Sequence, residues 1–338
     1  MRRYRLTGFD GPDSLREETC EVPEPGPREV LVRMRAWSLN HRDLLIAHGR
    51  YSRDLVPGLV PLSDGAGEVV ETGSEVTAWR PGDAVAGLFL PDWRSGRPRV
   101  DRALGGSVDG VLAEYVVFDE EAVVAVPAHL DFAEAATLPC AALTAWQAVV
   151  EIGGLHPGQT VLTLGSGGVS VFALQFAAAG GARVISTSGS PAKLERLREL
   201  GAAEVIDRVR EPEWGLRAAG LCDGGVDHVV EVGGAGTMRQ SITAARVGGR
   251  ISVIGVLGGG AGISPVPLLR KVLCVQGVQV GSADMFRAMN RALEQQRIRP
   301  VIDREFPFSE AGAAFRYLEA AGHIGKVVIT ADPPGRPR

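Results

Sequence analysis

Across 338 residues there are only four cysteines, Cys20, Cys140, Cys222 and Cys274, and no two stand in a CxxC pair. That excludes a readable disulfide framework or clustered zinc knot and fits a reducing cytoplasm. Basic charge is not in excess either. Against 36 Lys and Arg stand 40 Asp and Glu, a net charge of −4, which leaves no electrostatic footprint for nucleic acid. The basic start, Met1-Arg2-Arg3-Tyr4-Arg5, is followed by no apolar stretch of signal-peptide length. The nearest approach to a membrane span is the run from Ile152 to Ala182, which has no Asp, Glu, Lys or Arg. Glycines and Gln175 interrupt it, so a buried strand, turn and helix is expected there rather than a span.

What the chain has in abundance is glycine: 44 residues, well above the usual ~7%, without collagen periodicity. Many positions therefore need tight turns or close backbone approach, as in loops that cradle ligands. Hydrophobic residues at 45% and charged residues at 22% are ordinary for a folded protein. The length suits two domains of roughly 150 residues each.

The first third reads as strands between Gly and Pro punctuation, at Glu29–Ala36, Gly65–Val70, Asp83–Ala86 and Leu112–Val117. Pro91–Gly110 lacks apolar periodicity and reads as a surface loop or lobe. A helical stretch is expected from about Asp131, with Glu134 as its capping-box partner, through Ala141 to Val150. From Gln159 onward, short apolar strands at Val161–Leu164, Ala182–Ser186, Glu204–Ile206, Asp227–Val232 and Arg250–Val256 alternate with helical stretches at Val171–Ala179, Ala192–Leu200 and Thr237–Ala245. Alternation of that kind predicts an α/β, doubly wound parallel sheet. A sixth strand is expected at Cys274–Val280, a helix at Ser282–Gln296, and a β-like tail at Lys326–Thr330. A tail that returns to the first domain makes that domain discontinuous.

Gly165, Gly167 and Gly168 follow a strand and open a helix, with Val169 next in line, which is the context of a dinucleotide phosphate-binding turn. Ser170 stands where a third glycine or alanine is usual. The helix N-terminus supplies free N–H groups and the positive end of a dipole to a pyrophosphate. The next strand ends in Ser186-Thr187-Ser188-Gly189-Ser190, with no Asp or Glu for a ribose diol. Small hydroxyls such as Ser188, followed by Lys193 and by Arg208 after the third strand, suit a 2′-phosphate and favour NADPH, NADP+ when oxidised. The plainer alternative for Lys193 is a solvated helix residue.

These residues resemble the medium-chain dehydrogenase/reductases, in the zinc-independent branch with quinone and enone oxidoreductases. The resemblance rests on Asn40-His41-Arg42-Asp43, on Ser63-Asp64-Gly65-Ala66-Gly67-Glu68-Val69 with Gly73 and Arg80-Pro81-Gly82-Asp83, on Leu138–Trp146, on the glycine turn and on Gly325-Lys326-Val327-Val328. It implies a GroES-like β-rich catalytic domain at 1–127 and 282–338, interrupted by a Rossmann NADP-binding domain at 128–281. Zinc-dependent relatives would carry Cys at Asn40, His at Ser63 and Cys at Cys140. One thiolate beside Asn and Ser cannot hold a catalytic ion that needs three protein ligands, so no zinc is expected. The 91–110 lobe likewise lacks the four cysteines of a structural zinc site. His41, His48, Asp64 and Glu68 are the residues of a conceivable different metal site, or ordinary structural groups.

By the same resemblance Asn40 and Thr144 lie near the nicotinamide, and Tyr51 stands beside the substrate pocket as first-choice proton donor, unless its phenol only packs. His41 is the second candidate acid, with Arg42 or Asp43 orienting either group; Asp43 alternatively braces the loop. Cys140 reads as a pocket-lining remnant rather than a nucleophile. Gly255 and Val280-Gly281 resemble positions flanking the carboxamide, Lys326 a residue near the cofactor, and the strand Val275–Val280 an edge through which a homodimer forms. Phe89-Leu90-Pro91-Asp92-Trp93 either places aromatic surface over the substrate or folds the lobe. The expected activity is zinc-independent, NADPH-dependent hydride transfer to a quinone or an activated C=C bond of a small molecule, without nucleic acid or membrane partners. The alternatives are an NADP-dependent alcohol dehydrogenase or carbonyl reductase, and a catalytically silent NADPH-binding protein.

Overall fold

Apolar runs bounded by Gly and Pro become strands where one face can be buried, and the early part of this chain does so repeatedly. In a computed structural model, residues 1–52, 54–255 and 262–332 are described. The chain divides into two units, Met1–Leu143 together with the chain from Val280 onward, and Thr144–Gln279.

In the first unit, β1 (Arg2–Leu6) and β2 (Leu15–Thr19) form an antiparallel ribbon. The main sheet is built on β3 (Glu29–Leu39), which leads into α1 (His41–Ala47) and pairs with β4 (Asp64–Thr72). β5 (Ala84–Gly87) extends the sheet beside β4, β6 (Tyr115–Asp119) pairs with β3, and β7 (Val123–Ala125) pairs with β5. β6 begins later than the expected Leu112. Tyr4 N–H donates to Leu112 O at 3.0 Å and Glu114 N–H to Arg2 O at 3.0 Å, so Leu112–Glu114 are tied to β1 instead. A helical run then starts with α2 (Phe132–Ala135), whose capping box is formed as expected: Glu134 N–H donates to Asp131 at 2.8 Å and Asp131 N–H to Glu134 at 3.1 Å. The run continues through α3 (Leu143–Trp146), flanked by π-helical turns at Leu138–Ala142 and Gln147–Glu151.

The second unit alternates strands and helices: β8 (Thr160–Leu164), α4 (Gly168–Ala179), β9 (Arg183–Ser188), α5 (Pro191–Glu199), β10 (Glu204–Asp207), α6 (Trp214–Gly220), β11 (Val226–Glu231), α7 (Ala235–Ala244), β12 (Ala245–Val253), α8 (Val266–Arg270) and β13 (Cys274–Gly277). The sheet is parallel throughout, in the order β10-β9-β8-β11-β12-β13. The order reverses at β8, where doubly wound folds bind nucleotides. Leu162, Ile185, Ile206, Val229 and Ile251, one from each of the five inner and left-hand strands, are fully buried in one core. The uncharged run 152–182 is thus a strand, turn and helix, and no helix among the described residues is long and apolar enough to cross a membrane. Two strand ends differ from expectation. β12 stops at Val253, and the expected end at Val256 lies outside the described residues. β13 stops at Gly277 rather than Val280, because Val280 turns to φ +39°, the left-handed region that ends an extended strand.

The chain then adds α9 (Ala283–Gln296), β14 (Ile302–Pro307), α10 (Ala311–Glu319) and β15 (Lys326–Thr330). β15 inserts into the first sheet, parallel to β14 and antiparallel to β3, with Val327 opposite Leu39. Trp37, Phe308, Phe315, Val327 and Ile329 are fully buried there in one core. The tail therefore completes the sheet from which α1 emerges.

One buried carboxylate governs the turn after β11. Glu231, wholly buried, accepts hydrogen bonds from Gly233 N–H at 2.7 Å, Gly234 N–H at 2.9 Å and Thr237 Oγ1 at 2.5 Å, and from Ser241 Oγ. Every partner donates, so an amide nitrogen there would face donors. Glu231→Gln is expected to cost about 2–3 kcal/mol, read as a lower urea midpoint; an unchanged midpoint would show that the carboxylate does not hold α7.

Candidate active site

The β8–α4 turn presents backbone to open space. Gly165 sits at φ +76°, where a side chain is strained, and neither there nor at Gly167 would a Cβ meet another atom within 4 Å. Gly167 precedes the first helical residue, Gly168, and half-buried Val169 follows. Ser170 replaces the usual third glycine because its buried hydroxyl has a use: Oγ donates to Leu164 O at 2.6 Å and ties the helix to the strand end. The free N–H groups of the first turn of α4, a twelve-residue helix, thus border space that fits a pyrophosphate.

Beside this turn is a cavity of about 240 Å³ lined by Gly165, Ser166, Ser188, Gly189, Ser190, Lys193, Arg208 and Val209. The sequence-predicted Ser188, Lys193 and Arg208 are therefore brought together with Gly165. Ser188 Oγ accepts Ser190 N–H at 3.3 Å and Arg208 N–H donates to Ser188 O at 3.0 Å, which pins the ends of β9 and β10 to one another. Two cations and no carboxylate line the cavity. Gly255, at the far end of β12, packs against the Val232 backbone, and Thr144 is buried.

In the first unit a second cluster forms where β3 passes into α1. Lys326, 3% exposed, donates from Nζ to Leu39 O and to Asn40 Oδ1, both at 2.6 Å. Asp43 accepts Asn40 N–H at 2.7 Å, the reciprocal half of an N-terminal cap, and lies 3.6 Å from Arg42 Nη1. Asp64, fully buried at the start of β4, accepts Ser63 Oγ at 2.7 Å and Cys140 N–H at 3.1 Å. Burial raises the Asp64 carboxyl above its ordinary range, and Lys326, the Asn40 amide, Ser63 and the Cys140 amide partly offset that. Burial likewise pushes Asp43 up to about 6, against the opposing pull of Arg42 and the Asn40 N–H. Burial, and after it the nearby Asp64 charge, drives the Cys140 thiol upward, which disfavours the thiolate a nucleophile would need.

These donors fit a zinc ion poorly. Asn40 Oδ1 already accepts from Lys326 and Ser63 Oγ donates to Asp64, and an amide and a hydroxyl stand where zinc takes thiolate, imidazole or carboxylate. The other conceivable metal set is scattered: His48 meets Glu319 at 2.6 Å and Glu68 meets Arg33 at 3.0 Å. Among the described residues no three His, Cys, Asp or Glu side chains are grouped to hold a metal.

His41 lies exposed at the start of α1, and desolvation lowers its pKa from the ordinary value. Tyr51 follows α1, 38% exposed, with its ring against the Arg42 guanidinium. Phe89 and Trp93, 3% and 1% exposed, pack with Leu90, Ala103 and Val280, so the aromatic pair folds the lobe rather than presenting surface. The involvement of Lys326 with Asn40 and the place of Arg42 between two rings were missed by sequence reasoning. The first pair is 286 residues apart and had no local signal. The second had one in the Arg42-Asp43 pair itself, which was read only as orienting.

Residues 26–128 match the model of the alcohol dehydrogenase GroES-like domain, and 168–295 that of zinc-binding dehydrogenases. A zinc-type alcohol dehydrogenase-like protein of Schizosaccharomyces pombe is 42% identical over 97% of each chain. A 2-methylene-furan-3-one reductase of Solanum lycopersicum is 32% identical over 97% of this chain and 79% of its own. A quinone oxidoreductase of Rattus norvegicus is 28% identical over 97% of each. Among solved structures, a putative alcohol dehydrogenase from Sinorhizobium meliloti superposes with TM-score 0.91 at 42% identity, covering 97% of this chain and 98% of that one. With its parallel-sheet Rossmann unit, its GroES-like sheet and these relatives, the chain belongs to the medium-chain dehydrogenase/reductase superfamily of oxidoreductases.

Proposed function

We propose that this oxidoreductase uses NADPH without zinc to reduce a quinone or an activated C=C bond. The observation that carries the cofactor reading is the cavity beside Gly165, whose lining residues include Lys193 and Arg208 and no Asp or Glu. A 2′-phosphate is neutralised by such cations, whereas a ribose diol calls for an acid. Bound at the Gly165–Gly168 turn, NADPH supplies the hydride. Asn40 Oδ1, which accepts from Lys326, and Ser63 Oγ, which donates to Asp64, stand at two positions where zinc-dependent relatives carry ligands, which supports polarisation of the substrate oxygen by hydrogen bonding rather than by a metal. On this reading Tyr51, with His41 as second candidate, returns a proton to the enolate or quinol oxygen, completing addition of H⁻ and H⁺. The names of the tomato and rat relatives agree with these two acceptor classes.

The four cysteines, none of them disulfide-bonded, fit a reducing compartment. The edge strand β13 is exposed along its length and neighbours exposed Leu269 and Val272, which supports a homodimer formed through that edge. Sedimentation at micromolar concentration is expected to give twice the chain mass; a monomer there would remove the dimer from the reading.

Turnover tests the activity directly. Chelator-treated protein is expected to oxidise NADPH with quinones or enones and to use NADH poorly. Lys193→Ala and Arg208→Ala are each expected to raise KM for NADPH about 10-fold or more while leaving NADH little changed, the loss of one charge-assisted hydrogen bond. Turnover confined to aldehydes and restored by zinc would favour an alcohol dehydrogenase. NADPH binding without turnover of any acceptor would favour a silent nucleotide-binding protein.

A further inference from the structure

Arg42 is an unusual residue for the second position of a helix: its side chain is 8% exposed and still charged. Its Nη1 donates to Leu104 O at 2.9 Å and lies 3.6 Å from Asp43, while buried Nε and Nη2 have no hydrogen-bond partner. Burying a guanidinium so incompletely paired is costly unless something else stabilises the charge. Two aromatic faces do so. The guanidinium carbon stands 4.5 Å from the Phe89 ring centroid and 4.9 Å from that of Tyr51. Cation–π contacts strengthen as water is excluded, so the contact with buried Phe89 is the stronger of the two.

The two rings differ in their surroundings. Phe89 is fixed in the lobe core with Leu90 and Trp93, whereas Tyr51 is more than a third exposed and, among the described residues, meets the guanidinium with its ring. Arg42 is itself anchored on three sides, by α1, by the Leu104 carbonyl and by Phe89. We propose that Arg42 is the positioning residue for Tyr51, a cation–π clamp that fixes the phenol ring against the folded lobe. The proposal rests on the reading of Tyr51 as proton donor, and it assigns Arg42 no contact with substrate. A lysine keeps the charge but loses the planar face, and a methionine keeps the length but loses both.

The chain has four tyrosines, so 3-fluorotyrosine labelling of the NADPH-loaded protein gives four fluorine resonances, with Tyr51→Phe identifying the one from Tyr51. Arg42→Met is expected to move and broaden that resonance and to lower kcat about 3- to 10-fold, the kinetic equivalent of one partly exposed contact, with KM for the acceptor little changed. Arg42→Lys is expected to restore part of both, and Arg42→Met should add no further loss in the Tyr51→Phe background. A Tyr51 resonance unmoved by Arg42→Met, or losses that multiply in the double variant, would overturn the clamp. If Arg42→Met fails to fold, Phe89→Leu loosens the opposite face and is read by the same resonance, an unmoved signal again counting against the clamp. Wild-type turnover by Tyr51→Phe would instead overturn the donor reading, and the resonance alone would then decide the clamp.

Discussion

A single buried ammonium organises the first unit. Lys326 reaches from β15 to the end of β3, where its Nζ holds the last strand carbonyl, Leu39, and the first residue before α1, Asn40. Around it are the carboxyls of Asp43 and Asp64, both raised by burial and both held down in part by this charge. Removing a single member would leave its buried partners uncompensated, which is far more costly than the pair is stabilising. The insertion of β15 beside β3 is therefore more than sheet completion. It delivers a cation that, together with Arg42, offsets the two acids buried at the strand-to-helix junction.

That junction fixes the chemistry available nearby. The Asn40 carboxamide oxygen is committed to Lys326, the Asp43 carboxylate to the Asn40 amide, and the Asp64 carboxylate to Ser63 and Cys140. What stands outside the network is the surface that follows it in sequence: His41, exposed at the start of α1, and Tyr51 on the face of Arg42. In the second unit the same economy of function holds at the β8–α4 turn. Ser170 ties α4 to β8, so the glycines before it remain bare toward the space that borders Lys193 and Arg208.

Local pattern made much of this legible. The alternation of strands and helices from Thr160 to Gly277 follows from apolar runs, and the glycine turn from its place between β8 and α4. The capping box at Asp131 and Glu134 was readable because both partners lie within four residues. β2 escaped notice because four of its five residues, Arg16 to Thr19, are exposed and polar, leaving no alternation to detect. β14 escaped for a different reason, since its place depends on β15 returning beside β3. The candidate site divides in the same way. Ser188, Lys193 and Arg208 were legible as neighbours of one strand end, whereas the pairing of Asn40 with Lys326 joins opposite ends of the chain. Phe89 and Trp93 left two readings open, because a sequence does not say on which side of a lobe an aromatic ring is buried; here it is the inside.

The commitment of Asn40 Oδ1 to Lys326 and of Ser63 Oγ to Asp64 is the claim on which the zinc-independent reading stands, and metal stoichiometry tests it most directly. Protein produced with abundant zinc and then dialysed is expected to retain well under one zinc per chain while oxidising NADPH at its full rate. One tightly held zinc per chain, whose removal abolishes turnover and whose return restores it, would contradict a site held together by Lys326 and its carboxylates.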